Sequence, residues 1–157
     1  MDSAPPPDHP NVIAFPPLIF ASFATGSGLL HYFFRIAVLD SRTRFAIGGT
    51  LALAAVTQAI WASRVMHAEG TNVNPGKPAL KIVRRGPYRY TRNPMYLSLC
   101  VLHLALGFLF NSWIMLLAAL PLAAVLNFGV IVREERYLAA KFGEEYLAYL
   151  RTVRRWI

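Results

Sequence analysis

Four apolar runs constrain this chain more than any other feature. They extend from Val12 or Pro16 to Phe34, from Phe45 to Ser63, from Met95 to Phe110 and from Trp113 to Val132. A helix needs roughly 17–25 apolar residues to cross the hydrocarbon core of a bilayer, and each run is near that length. The third is the shortest, and it spans only if it tilts little or reaches into the interface. Charged residues are 15% of the chain and hydrophobic residues 55%, whereas ordinary soluble domains carry about 25% charged residues. Too little polar surface remains to cover a water-soluble globule of this size. The expected fold is all-α and integral to a membrane, with about four transmembrane helices.

The 157 residues suit a single domain over 12–157, preceded by a Pro-rich tail (1–11) without regular structure. No basic region precedes the first apolar run, so its helix is expected to insert uncleaved. Pro16-Pro17 suits a helix start. Asn111-Ser112 is the whole link between the third and fourth runs, which makes them a tight helical hairpin. Pro121 should kink the fourth run. Small residues four apart, Ala24 with Gly28 and Gly48 with Ala52, allow close helix packing. After Val132, Leu138, Phe142, Tyr146, Tyr149, Leu150 and Val153 fall on one stripe, so 133–157 reads as amphipathic helices. Gly143 is placed to end the first of them, with Glu144-Glu145 favouring the start of the second.

Of the 16 Lys and Arg residues, seven lie between the second and third runs and six in the C-terminal segment, leaving Arg35, Arg42 and Arg44 on the other side. Four spans put the thirteen on one face with both termini. The positive-inside rule makes that face cytoplasmic, and a bacterial inner membrane is the expected location. The net charge of +8 flanks apolar stretches, so membrane lipids are the expected partners and nucleic acid is not. Cys100 is the only cysteine, which excludes an internal disulfide and a Cys-based zinc site.

Chemistry is expected where the chain re-enters the membrane. The 64–94 segment is long for a connector, and its Gly and Pro residues fix turns. Its end, Arg84-Arg85-Gly86-Pro87-Tyr88-Arg89-Tyr90-Thr91-Arg92-Asn93-Pro94-Met95-Tyr96, alternates arginine, tyrosine and turn residues. A snorkelling interface belt has the same composition. The second feature is Glu134-Glu135 at the end of the fourth run, where negative charge opposes the helix macrodipole and calls for partners such as Arg92. His31, His67 and His103 show no convergent ligand set, so no metal site is expected. Gly26-Ser27-Gly28 lies inside a span and reads as packing. Asn127 could bond another helix or line the path of a lipophilic acceptor.

Gly86-Pro87-Tyr88, Arg92-Asn93-Pro94-Met95-Tyr96 and Glu134-Glu135, followed by Leu138, Phe142-Gly143 and Tyr146, resemble the isoprenylcysteine carboxyl methyltransferase family, which is related to the membrane phospholipid methyltransferases. The resemblance covers roughly Gly70 to the C-terminus. It implies a membrane methyltransferase that uses S-adenosylmethionine and a lipophilic or lipid acceptor carrying a carboxylate, thiol or amine. It implies a cofactor site of Leu80, Ile82, Gly86, Pro87, Tyr88, Arg92, Asn93, Pro94, Tyr96, Glu134 and Glu135, with Arg92 and Glu135 as catalytic residues. Two positions depart from the family pattern. Asn93 stands where the family motif has histidine, and Leu80-Lys81-Ile82 replaces a His-x-Leu element. A phospholipid N-methyltransferase-like enzyme and a non-catalytic membrane scaffold are the alternatives.

Overall fold

The computed structural model describes residues 8–35 and 37–157, so most of the expected Pro-rich tail lies outside the described residues. Six α-helices follow in order: α1 (Pro16–Phe33), α2 (Ser41–Ala68), α3 (Pro94–Leu109), α4 (Trp113–Leu126), α5 (Val132–Phe142) and α6 (Glu144–Thr152). A short 3-10 turn at Gly86–Arg89 precedes α3, and a π turn at Asn127–Ile131 joins α4 to α5. The described residues contain no strand, only an isolated parallel bridge between Thr91 and Arg154.

Local chemistry sets these ends. The Asp40 carboxylate accepts from the Thr43 N–H at 3.1 Å and caps α2. The Ser112 hydroxyl accepts from the Met115 N–H at 3.2 Å and caps α4. Asn111 takes φ +56° between α3 and α4, a left-handed conformation that asparagine tolerates better than most residues. Its side chain also ties the hairpin to the α1–α2 link, accepting from Val38 N–H and Leu39 N–H and donating to Leu39 O. Arg44 caps the other side of the hairpin by donating to Leu109 O at 2.9 Å.

Several boundaries differ from the sequence reading. The second helix runs to Ala68, so 64–68 are helical rather than loop. The fourth run continues as a helix through Pro121 to Leu126, and a π turn follows at Asn127–Ile131. The whole stretch Trp113–Phe142 is 30 residues long. Glu134-Glu135 therefore sit in the first turn of α5, not at a helix C-terminus, and the macrodipole argument does not apply to them. Gly143 ends α5 at φ +54°, with Glu144 and Glu145 opening α6.

α2 lies along α3, while α1 packs on α4 and α3. Small residues permit this where expected at Gly48, whose added Cβ would stand 2.8 Å from Leu109 Cγ. Gly28 has nothing within 4 Å, so the close packing expected along Ala24 and Gly28 does not occur at Gly28. The tightest of these helix crossings is at Gly107, where a Cβ would meet Leu116 Cδ2 at 2.6 Å. Gly107→Val is expected to cost about 1–3 kcal/mol through overpacking, read as a lowered thermal midpoint in detergent.

The main core joins Ile19, Leu122, Leu126 and Val130, with Phe20, Tyr96, Leu99, Cys100 and Trp156 against it. A second cluster of Ala62, Val83 and Tyr88 sits beside Met66 and Met95. His103 is fully buried with the Phe20 ring edge-on at 6.1 Å. Outside these clusters the helices present large apolar side chains, among them Leu53 (70% exposed), Leu120 (72%) and Phe128 (71%). Two helical stretches, Ser41–Ala68 and Trp113–Phe142, are long and apolar enough to cross a membrane, and Pro94–Leu109 is a shorter apolar helix. Only 17% of the most apolar part of α2 is buried. A helix that supplied the core of a soluble protein would bury most of that surface, and lipid is the solvent that suits what α2 leaves out.

Candidate functional site

The 69–93 segment is folded onto the end of α2. Gly70, at φ +70°, terminates that helix, and Thr71 N–H returns to Met66 O at 3.2 Å. Glu69 receives Lys81 at 3.0 Å and Arg85 at 3.6 Å, and the Lys81 bond holds its carboxyl below the usual range. Further along, Asn72 donates to Pro78 O, Asn74 accepts from Gly76 N–H, and Leu80 N–H donates to Thr71 Oγ1. The segment thereby forms one wall of a cavity, with Thr71, Asn72, Ala79, Lys81, Ile82 and Val83 among its lining residues.

Tyr88 and Arg92–Tyr96 form the floor, and Glu134, Glu135, Tyr137 and Leu138 of α5 with Tyr146 and Tyr149 of α6 form the far wall. Two polar systems meet there. Arg92 Nη2 donates to Glu135 Oε1 at 2.8 Å, and its Nη1 donates to Val153 O at 2.6 Å and Leu150 O at 3.1 Å. Both side chains are nearly buried, at 10% and 13% exposure. The Nε–H of Arg92 is buried without a partner. Arg155 forks onto the same Glu135, with Nε 3.1 Å from Oε1 and Nη2 2.5 Å from Oε2. Glu134 is held differently, because its two oxygens accept only from the Tyr96 hydroxyl, each at 2.9 Å. Among the described residues no cation pairs with it.

The tyrosines complete the wall. Tyr149 donates its hydroxyl to Tyr88 O at 2.7 Å, tying α6 to the 3-10 turn. Burial pushes the phenols of Tyr88, Tyr146 and Tyr149 above the ordinary tyrosine range, so all three remain neutral near pH 7. The aromatic rings and neutral hydroxyls suit a planar, heteroatom-bearing ligand group.

Most of the residues singled out in the sequence border this cavity: Ile82, Tyr88, Arg92, Asn93, Pro94, Tyr96, Glu134 and Glu135. Three do not. Leu80 is 60% exposed, whereas its neighbours Ala79 and Lys81 border the cavity. Gly86 lies against α2, where a Cβ would meet Val65 Cγ2 at 2.8 Å and Trp61 Nε1 at 3.1 Å at a φ of +57°. Pro87 lines a separate apolar groove with Trp61, Leu97 and Trp156. Gly86 and Pro87 thus seat the turn on α2, and Tyr88 alone of the three borders the cavity. Asn127 neither bonds another helix nor borders the cavity. Its Oδ1 accepts from Trp156 Nε1 at 3.3 Å and Arg155 Nη1 at 3.4 Å.

Residues that sequence reasoning passed over include Thr71, Asn72, Tyr149 and Arg155. Tyr149 belonged to the stripe already read from the tail. The described part of the N-terminal segment is anchored rather than loose. Lys141 pairs with Asp8 at 2.6 Å, Arg133 donates to Asn11 O at 2.8 Å, Ile13 N–H donates to Gly129 O in the π turn, and Pro10 borders the cavity.

A sequence model of the phospholipid methyltransferase family matches residues 43–145, well over half of the chain. The chain belongs to the phospholipid methyltransferase family. The match runs from the start of α2 into α6 and includes the loop, Arg92–Tyr96 and Glu134-Glu135. Membership makes this protein a membrane methyltransferase in the general sense. It is also similar to an uncharacterised protein of Haemophilus influenzae, 41% identical over 63 residues, which are 40% of this chain and the whole of that relative.

Proposed function

We propose that the protein transfers a methyl group from S-adenosylmethionine to a lipophilic acceptor at the cytoplasmic face of a membrane. The observation that carries this reading is one cavity bordered by two polar poles, the Arg92 guanidinium and the Glu134 carboxylate, which has no cation. They fit the two ends of an α-amino acid, Arg92 receiving a carboxylate and Glu134 an ammonium or a ribose hydroxyl. The rings of Tyr88, Tyr146 and Tyr149 and the side chains of Ile82 and Val83 suit an adenine beside them. When bound, S-adenosylmethionine supplies a methyl group on a sulfonium with a neutral thioether as leaving group. The protein's part is then to hold donor and acceptor at near-attack distance and exclude water. Glu135, engaged by two guanidinium groups, orients Arg92 rather than taking a proton. An acidic acceptor needs no base, whereas a thiol or amine acceptor loses its proton to Glu134 or to water.

The motif pair supports an isoprenylcysteine carboxyl methyltransferase-like enzyme, and the family model favours a phospholipid amine acceptor as the second reading. The charge asymmetry supports four spans with α5, α6 and both termini in the cytoplasm of a bacterial inner membrane. Calorimetric titration of the detergent-purified protein with S-adenosylmethionine tests the reading, followed by transfer of labelled methyl to liposome-borne prenylated carboxylates, lipophilic thiols and phospholipid amines. Absence of binding by folded protein rejects it. Tyr96→Phe removes the one donor that holds Glu134, a loss on the order of 1–3 kcal/mol at a cavity wall. Its expected result is about tenfold weaker cofactor binding with the fold retained.

A further inference from the structure

We propose that Arg155, carried by a C-terminal strap over Val153–Trp156, is a positioning residue that gives the Arg92 end of the cavity its net positive charge. This rests on the S-adenosylmethionine reading above. Residue 155 lies beyond the stretch matched by the family model.

The strap is docked through its backbone carbonyls. Arg92 N–H donates to Arg154 O at 3.0 Å, while the Thr91 hydroxyl and the Asn93 side-chain amide both donate to Arg155 O, at 3.1 and 2.9 Å. Trp156 anchors the far side on Asn127. Asn93 therefore serves here as a clamp on the strap. These bonds set the Arg155 backbone, and its side chain then reaches Glu135 through the fork described above while remaining 37% exposed.

Charge arithmetic gives the consequence. Arg92, Glu135 and Arg155 form one bonded chain with formal charges of +1, −1 and +1, a net of +1. Glu134 stands apart from this chain, bonded only to the Tyr96 hydroxyl. Without Arg155, Glu135 would neutralise Arg92 alone, and the attraction for a ligand carboxylate would fall. A Glu135 forked by Arg155 is also fixed in orientation, and Arg92 is fixed through its single bond to it. Arg155 does not border the cavity, so it acts through Glu135 and not on the ligand.

The test compares two ligands on the detergent-purified full chain. S-adenosylmethionine carries the amino-acid end, and 5′-methylthioadenosine lacks it. Arg155→Gln is expected to weaken S-adenosylmethionine about tenfold, a coupling typical of residues in one ionic network, and to leave methylthioadenosine within about twofold. Arg155→Lys keeps the charge without the fork and should fall between wild type and Arg155→Gln. The double variant with Glu135→Gln should lose less against Glu135→Gln alone than Arg155→Gln loses against wild type, because the ionic fork is already gone and only the charge is left to remove. Equal weakening of both ligands, unchanged S-adenosylmethionine binding, or additive losses in the double variant would each overturn the proposal. If Arg155→Gln is not recovered folded, Arg155→Lys carries the same two-ligand comparison, and equal losses there are equally decisive. Wild-type protein that binds neither ligand defeats the underlying reading, a result separable from wild-type binding with an indifferent Arg155.

Discussion

Arg92→Ala is expected to abolish measurable S-adenosylmethionine binding and to lower methyl transfer by at least about 100-fold. Truncating one member of a buried, hydrogen-bonded charge pair costs roughly 2–5 kcal/mol, and each 1.4 kcal/mol is tenfold in affinity. The substitution removes more than one contact. It deletes the guanidinium assigned to the ligand carboxylate, leaves Glu135 to Arg155 alone, and strips Leu150 O and Val153 O of their donor. The last loss loosens the end of α6, so a fall in thermal midpoint accompanies the loss of binding. Arg92→Lys separates the two effects. A lysine can still pair with Glu135 but cannot also reach the two carbonyls and offer an Nε–H in fixed geometry. It is expected to recover only the part of the stability that comes from the Glu135 pair and little of the binding, measured by thermal unfolding and calorimetry on the same preparations. Full binding by Arg92→Lys would remove Arg92 from the site.

The sequence carried the elements well where a bilayer dictates them. Apolar composition is a local property, so the first and third runs and the starts of the second and fourth were legible within a few residues. What hydropathy marks, however, is the edge of the hydrocarbon and not the end of a helix. α2 continues through Arg64 and His67 to Ala68 because polar residues continue a helix freely once it leaves lipid. The π turn at Asn127–Ile131 was invisible, since no residue type signals it. With it went the correct position of Glu134-Glu135, one turn into a continuing helix. The site was legible as a set of motif residues at Arg92, Tyr96, Glu134 and Glu135. The roles within the set were not. That Glu135 is shared by two arginines while Glu134 has none depends on Arg155, 20 residues away in the chain and brought back by the strap. The N-terminal segment makes the same point, because its proline content says nothing of an Asp8–Lys141 pair formed across 133 residues.

Glu134→Gln is expected to weaken S-adenosylmethionine binding by on the order of 100-fold while leaving the thermal midpoint of the ligand-free protein unchanged or raised. The carboxylate lines the cavity with one neutral donor, Tyr96, and no cation. A charge held this way costs free energy in the ligand-free state, because a single hydroxyl does not replace the water it has lost. Glutamine keeps the shape, and its side-chain oxygen can still accept from Tyr96, while the uncompensated charge is gone. What disappears is the attraction for a cationic or hydroxyl-bearing ligand group, for which that charge is held ready. Glu135→Gln gives the opposite signature in the ligand-free protein. It leaves Arg92 and Arg155 facing each other across a neutral amide, so stability and binding should fall together. Calorimetry and thermal unfolding on the two variants therefore distinguish a carboxylate kept for a ligand from one that holds the fold. If Glu134→Gln lowers the midpoint as Glu135→Gln does, or binds S-adenosylmethionine as wild type does, the assignment of Glu134 to the ligand fails. If the two glutamines diverge as expected, adjacent and chemically identical residues differ in role only because arginines 43 and 20 residues away reach one of them.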